Sequence, residues 1–354
     1  MNVLVVLEGQ SDKTTGPIFR DIAGIVRDGL RNLGHPTRIV YCANLATDAC
    51  FVSGEQVIVL APHNLANYVT LEGALVVLER KLIPSDAILY NFEHIGCCLP
   101  QTTPDEQSWL RDRSLVSRDA LKIYGRYTLW EYSEQNMHNL HGIGIRSELV
   151  PLGFSSQLGR SYSSRTGTPR KGDRNEDNSK HEDEFIDVLF VGAETPSRLA
   201  AIRRIRDAGV SVVHPNSAGI EAFGADLDAI SIKSKIMLSL NAFQSTTGEC
   251  STNASYANCN NGEWKIARIL PLLANSRFVV AEMSGSASER ETFRGGVIFA
   301  PLERLAETCL YYLQRPQERK AIAERGRQIV EQQAEADMLR VPVEKAMRAP
   351  RLNT

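Results

Sequence analysis

The chain has 354 residues, 43% hydrophobic and 23% charged, with a formal net charge of -2. That length exceeds the ~250–300 residues at which one core stops growing, so two domains are expected. The near-neutral charge excludes an overall basic field for nucleic acid, and no apolar run reaches the ~18–20 residues of a membrane span.

The opening MNVLVVLEGQ carries an apolar run too short for a signal h-region and has no basic start, so Val3–Leu7 reads as a first buried strand. A polar loop, Glu8–Gly16, precedes a helix over Ile18–Leu33, with Ile22, Ile25, Val26, Leu30 and Leu33 at helical spacing. Gly34-His35 signals its end. Thr37–Tyr41, Gln56–Leu60 and Ala87–Tyr90 read as the next strands, Glu134–His141 as a helix and Glu148–Leu152 as a further strand. Strands separated by helical stretches imply βαβ units and a parallel sheet.

Composition changes at 159–184, GRSYSSRTGTPRKGDRNEDNSKHEDE, which has almost no apolar side chain and reads as a mobile linker or insertion. The alternation then restarts: Ile186–Val191, helix Ser197–Ala208, Val210–His214, Ile236–Leu240, helix Trp264–Leu273, Phe278–Val280, Val297–Phe299, and a helical end over Leu302–Leu313 and Pro316–Gln332. The expected domains are 1–155 and 186–335, with 156–185 between them. A tail, 336–354, is expected to pack back on the first domain. The polar stretch Ser245–Gly262 follows a strand, at the sheet edge where α/β proteins bind ligands. Seven cysteines at 42, 50, 97, 98, 250, 259 and 309 form an odd, scattered set without a CxxC, so they read as reduced thiols of a cytoplasmic protein rather than zinc ligands. Cys250 and Cys259 share one polar loop and could form a disulfide in an oxidising setting.

Chemistry concentrates at strand ends. Ile186–Val191 ends at Gly192 and is followed by a helix rich in arginine (Arg198, Arg203, Arg204, Arg206). A strand, a tight turn and a helix N-terminus expose backbone N–H groups and a positive dipole end to an anion. The turn is not GxGxxG, so a plain dinucleotide fingerprint fails. His63 follows Gln56–Leu60, and Glu93-His94 follows Ala87–Tyr90, both at a carboxyl edge where loops concentrate function.

Taken together, these fragments resemble a GT-B glycosyltransferase of the spore-maturation-protein-like (glycosyltransferase family 1-type) group. In the first half the resemblance rests on Gly16-Pro17-Ile18, Tyr90-Asn91-Phe92-Glu93, Trp130-Glu131-Tyr132-Ser133 and Val150-Pro151-Leu152-Gly153-Phe154. In the second half it rests on Phe190-Val191-Gly192 with Arg198, Ser234-Lys235-Ile236, Arg268-Ile269 and Gly295-Gly296-Val297. It implies an α/β architecture of two Rossmann-like domains whose parallel sheets face a cleft. The second domain would hold a nucleotide-diphosphate sugar, and the first a glycan, peptide or small-molecule acceptor, with no cofactor and no nucleic-acid partner.

A leaving nucleoside diphosphate needs compensating positive charge, which metal-free GT-B sites supply with Arg, Lys and helix N-termini. Gly192, Arg198 and Lys235 are the donor-site candidates on that ground, and the resemblance adds Arg268. The family commonly has a Glu three residues before that arginine. Here Lys265 stands there, and Glu263 substitutes only with a shifted helix start. Asp226-Leu227-Asp228 is the only DxD match near these strands and lies inside a short helix, so transfer is expected to be metal-independent. Glu93, with His63 as the second choice, is the candidate base. Two competing readings stay open: a catalytically degenerate GT-B module that binds glycan or a partner protein, and another GT-B-fold enzyme such as a sugar-nucleotide epimerase.

Overall fold

The structure is a computed structural model that describes residues 2–7, 16–42, 50, 52–66, 83–93, 95, 118–156, 158, 185–192, 194, 196–215, 224–241, 266–283 and 286–348. The polar segment 159–184, the loop Ser245–Gly262, Glu263 and Lys265 lie outside the described residues. The chain divides into two compact units. One carries Met1–Gly153 and Ala334–Thr354; the other carries Phe154–Glu249 and Asn260–Gln333.

The first unit is built on strands β1 (Asn2–Leu7), β2 (Thr37–Cys42), β3 (Gln56–Leu60), β4 (Ile88–Asn91), β5 (Thr128–Glu131) and β6 (Glu148–Leu149). They form one sheet in the order β2-β1-β3-β4-β5-β6, with every pair parallel. Every residue of β1 is buried, which is why its sequence is a continuous apolar run rather than an alternation. Helices α1 (Gly16–Asn32), α2 (Arg118–Tyr124) and α3 (Glu134–Gly142) belong to this unit. Ser133 caps α3 by accepting the Asn136 N–H. β5 is an addition to the sequence reading. Its Trp130 is fully buried and meets Tyr90 edge-on, with ring centroids 5.5 Å apart.

The second unit holds β7 (Ile186–Phe190), α4 (Pro196–Asp207), β8 (Val212–Val213), α5 (Gly224–Ile232), β9 (Ser234–Ser239), α6 (Ile266–Ala274), β10 (Val279–Glu282), α7 (Ala287–Thr292), β11 (Ile298–Ala300), α8 (Leu305–Leu313) and α9 (Pro316–Glu331). Its sheet runs β11-β10-β9-β7-β8, again all parallel. Renumbered within each unit, both sheets contain the doubly wound order 2-1-3-4-5. The strand order reverses between β1 and β3 in the first unit and between β7 and β9 in the second, and at such switch points the loops diverge and leave a ligand crevice at the carboxyl edge.

The last helix, α10 (Glu335–Arg348), returns to the first unit and packs on α1. Gly29 makes this approach possible, since a Cβ there would stand 2.5 Å from Glu335 Cγ. One expectation needs correction. Cys42, the last residue of β2, and Cys50 are joined by a disulfide, with Cα atoms 6.2 Å apart. Disulfides persist mainly in oxidising compartments, so the cysteines no longer argue for the cytoplasm. Cys309 is a buried thiol whose ionisation burial pushes up to about 12. No described helix is long and apolar enough to cross a membrane.

Candidate active site

In the second unit, Gly192 stands just past the end of β7, beside the switch point. Two guanidinium groups converge on it: a Cβ at this position would lie 3.0 Å from Arg268 Nη1 and 3.4 Å from Arg198 Nη1. Arg198, from the first turn of α4, is only 4% exposed. Its Nε donates to the Leu240 and Asn241 carbonyls at 3.2 Å each, and its Nη2 donates to Leu240 at 2.8 Å. One arginine therefore ties the start of α4 to the chain leaving β9, across the switch point. Arg268, from α6, donates from Nη1 to the Val191 carbonyl at 3.3 Å and is half-buried. The Phe190 ring lies 5.5 Å below the Arg198 guanidinium carbon. The result is a local concentration of fixed positive charge over a residue with no side chain, an arrangement suited to a phosphate group.

Several residues of this edge were missed in the sequence. His214, after β8, has Nε2 2.9 Å from the Gly192 carbonyl, and its Nδ1 is 3.5 Å from Glu194 Oε1. Glu282, at the end of β10, accepts the Asn241 N–H at 2.9 Å. The rule that singled out His63, a polar residue just past an apolar strand, would have found His214.

Lys235 is not part of this constellation. It is the second residue of β9, at the sheet's amino edge, and Ser234 pairs with Ile186 at the start of β7. Its Nζ is 2.7 Å from Asp187 Oδ1, with the two side chains 30% and 31% exposed. The rest of β9, Ile236 to Ser239 at ~3.3 Å per residue, separates it from the Gly192 edge.

In the first unit, Leu60 and Tyr90 are register partners, so His63 and Glu93 both lie three residues beyond a paired position on adjacent strands. His63 sits in a short 3-10 helix, Pro62–Ala66, with its ring 5.6 Å from Phe19 of α1. It follows Ala61, whose φ of 57° places a non-glycine residue in the left-handed region. Such strain costs about 1–3 kcal/mol and clusters at functional sites. Glu93 is buried, and its backbone is clamped. Its N–H donates to Asn91 Oδ1 at 3.3 Å, and its carbonyl accepts from Asn91 Nδ2 at 2.7 Å and Asn136 Nδ2 at 2.8 Å. Beneath lies Glu131, fully buried, accepting from Asn91 Nδ2 at 2.7 Å and Asn136 Nδ2 at 2.9 Å. Burial, and after it the negative field of Glu131 and Glu93, pushes the Tyr124 hydroxyl well above its ordinary range, so Tyr124 stays protonated and donates to Asn91 Oδ1 at 3.1 Å. Among the described residues no group of three or more His, Cys, Asp or Glu side chains is placed to hold a metal ion.

No protein-family model matches this sequence, and no curated protein sequence matches it. Solved structures do. An alpha-glucosyltransferase in complex with UDP and a 13-mer DNA superimposes with a TM-score of 0.57 at 10% identity, over 98% of this chain and 100% of that one. Sucrose-phosphate synthase of Thermosynechococcus elongatus gives 0.56 at 11% identity, over 98% of both chains. Alr3699/HepE of Anabaena, in complex with UDP-glucose, gives 0.53 at 13% identity, over 98% and 99%. The fold is GT-B. At these identities the kinship is one of architecture. Within this GT-B chain, both units place their polar constellations at the carboxyl edge of the sheet, the second beside its switch point and the first at the ends of β4 and β5.

Proposed function

We propose that this chain is a metal-independent glycosyltransferase that takes a sugar from a nucleotide-diphosphate sugar and passes it to a glycan, peptide or small-molecule acceptor. The observation that carries the reading is the convergence of Arg198 and Arg268 on Gly192 at the switch point of the second unit. A departing diphosphate gains charge as the glycosidic bond breaks, and two preorganised guanidinium groups stabilise that charge without reorganisation. The sequence fragments support a place in the spore-maturation-protein-like group, and the neighbours solved with UDP or UDP-glucose support a uridine nucleotide as the first donor to try.

On the acceptor side, Glu93 is the proposed base and His63 the second choice. The clamp of Asn91 and Asn136 on the Glu93 backbone supports a positioned role. Lys265, where the family has Glu, favours a second reading in which the module binds glycan or a partner protein without turnover.

Saturation-transfer NMR or thermal shift against UDP, GDP, ADP, TDP and CMP sugars tests this directly. Binding followed by slow donor hydrolysis, unaffected by EDTA, is the expected result. Binding without turnover selects the second reading, and no response to any nucleotide sugar refutes both the donor site and the activity.

A further inference from the structure

We propose that Glu131 is a positioning residue for Glu93: its two carboxylate oxygens set the direction of two asparagine amides, and these hold the Glu93 main chain in place. The inference rests on Glu93 as the base of the proposed transfer, and it gives a role to a buried acid which that reading leaves unused.

Asn91 and Glu131 are register partners at the ends of the parallel strands β4 and β5. Glu93 and Ile95 follow β4 outside any helix or strand, so their backbone groups need partners from elsewhere. Asparagine side chains supply them. Asn91 Oδ1 accepts the Glu93 N–H at 3.3 Å, and Asn136 Oδ1 accepts the Ile95 N–H at 2.9 Å. The Glu93 carbonyl accepts from Asn91 Nδ2 at 2.7 Å and from Asn136 Nδ2 at 2.8 Å, and the Ile95 carbonyl accepts from Asn139 Nδ2 at 2.7 Å. Asn136 and Asn139 stand three residues apart on α3, so one face of the helix carries both amides.

A backbone N–H only donates and a carbonyl only accepts, so the orientation of Asn91 and Asn136 is fixed. Each Nδ2 has two hydrogens. One goes to the Glu93 carbonyl and the other to Glu131, where Asn91 reaches Oε2 at 2.7 Å and Asn136 reaches Oε1 at 2.9 Å. The Ser133 N–H adds a further donor to Oε1 at 3.3 Å. Glu131, Asn91 and Asn136 are each 0% exposed, so bulk water does not replace a lost partner. This place requires two acceptor oxygens. A glutamine supplies one oxygen and one NH2 group. In Glu131→Gln that NH2 meets the Nδ2 of Asn91 or of Asn136, donor against donor. The asparagine cannot turn over to relieve the contact, because its oxygen would then face the Glu93 carbonyl. Its bond to Glu93 must lengthen or break.

A general base works within about 2.6–3.2 Å of its target, and a displacement of about 1 Å can cost about a hundredfold in rate. Turnover of UDP-glucose with water as the acceptor, read as released UDP, tests the inference, with GDP-, ADP- and TDP-glucose as further donors. In Glu131→Gln, kcat is expected to fall roughly ten- to hundredfold at unchanged donor KM and unchanged UDP Kd. Added to Glu93→Gln, the same substitution should lower kcat no further, since it acts through a base already removed. Hydrogen exchange reads the tie itself. The Glu93 and Ile95 amides should exchange faster in Glu131→Gln, while those of β1 in the same sheet keep the parent's rates. Asn136→Ala leaves Glu131 in place, and Ser133 still caps α3 through the backbone N–H at 136. It should show the same fall in kcat at unchanged UDP Kd, which covers a failure of Glu131→Gln to fold.

A kcat within about threefold of the parent in these variants, well short of the cost of misplacement, overturns the inference and leaves Glu93 as the base if Glu93→Gln is slow. A further fall in the double variant, or Glu93 and Ile95 amides that keep the parent's exchange rates, overturns it as well. Glu93→Gln as active as the parent overturns the base assignment and this inference together. A parent that turns over none of these donors overturns the transferase reading and the inference with it.

Discussion

Gly192→Ala tests the proposed anion cradle. The residue does not occupy the left-handed region, so the added methyl acts through space and not through backbone strain. That Cβ would lie 2.9 Å from Phe190 Cζ, 3.0 Å from Arg268 Nη1 and 3.4 Å from Arg198 Nη1. Carbon atoms settle at about 3.5–4.0 Å, so the ring contact is short by at least about 0.6 Å. Phe190 is buried in the second unit's core and has little room to retreat. Overpacking of this kind costs about 1–3 kcal/mol of stability. The guanidinium tips are easier to move, and their displacement removes charge from the place where a diphosphate would sit. One charge-assisted hydrogen bond is worth about 1.5–3 kcal/mol, which corresponds to a roughly ten- to hundredfold rise in Kd. Calorimetry with UDP on the folded variant, checked by thermal unfolding, measures it. A Kd within about threefold of the parent, well short of the loss of one such bond, would refute the cradle.

Lys235→Ala is expected to leave UDP affinity unchanged, because its partner is Asp187 at the opposite sheet edge, and to alter stability by no more than about 1 kcal/mol, as partly exposed pairs do; calorimetry showing a tenfold weaker Kd would return Lys235 to the site. Glu93→Gln should lower kcat by roughly 10²–10⁴ while UDP affinity holds, and a kcat within a few-fold of the parent would move the base elsewhere, with His63 next. Burial pushes the Glu335 carboxyl from its ordinary 4.5 up to about 8, although it accepts the Gly153 N–H. The folded chain then holds a proton that the unfolded chain releases, so stability falls as pH rises from about 4.5 through about 8, by at most about 1.4 kcal/mol per unit. Melting curves should show that slope in the parent and its loss in Glu335→Gln; parallel curves would refute it.

The alternating pattern of Val3–Leu7, Gln56–Leu60 and Ile186–Phe190 with intervening helices was legible because each signal is local. A doubly covered strand must be apolar throughout, and an amphipathic helix must repeat every 3.6 residues. The turn at Gly192, with Arg198 on the helix behind it, was legible for the same reason. β5 was not, since its buried Leu129 and Trp130 follow directly on the apolar residues of α2 with only a short turn between. Pairing between distant segments decided the rest. Ser234-Lys235 looks alike in sequence whether it precedes a strand or opens one, and only the partnership of Ser234 with Ile186 puts Lys235 at the amino edge. Val-Val-His-Pro carries no sign of Gly192, yet the parallel pairing of β8 with β7 brings the His214 ring to that carbonyl. Nothing in the spacing of seven scattered cysteines singles out Cys42 and Cys50, and only the tertiary structure brings their Cα atoms to 6.2 Å. Local chemistry writes periodicity into a sequence; strand order and register, set by how whole elements pack, choose which strand ends become neighbours.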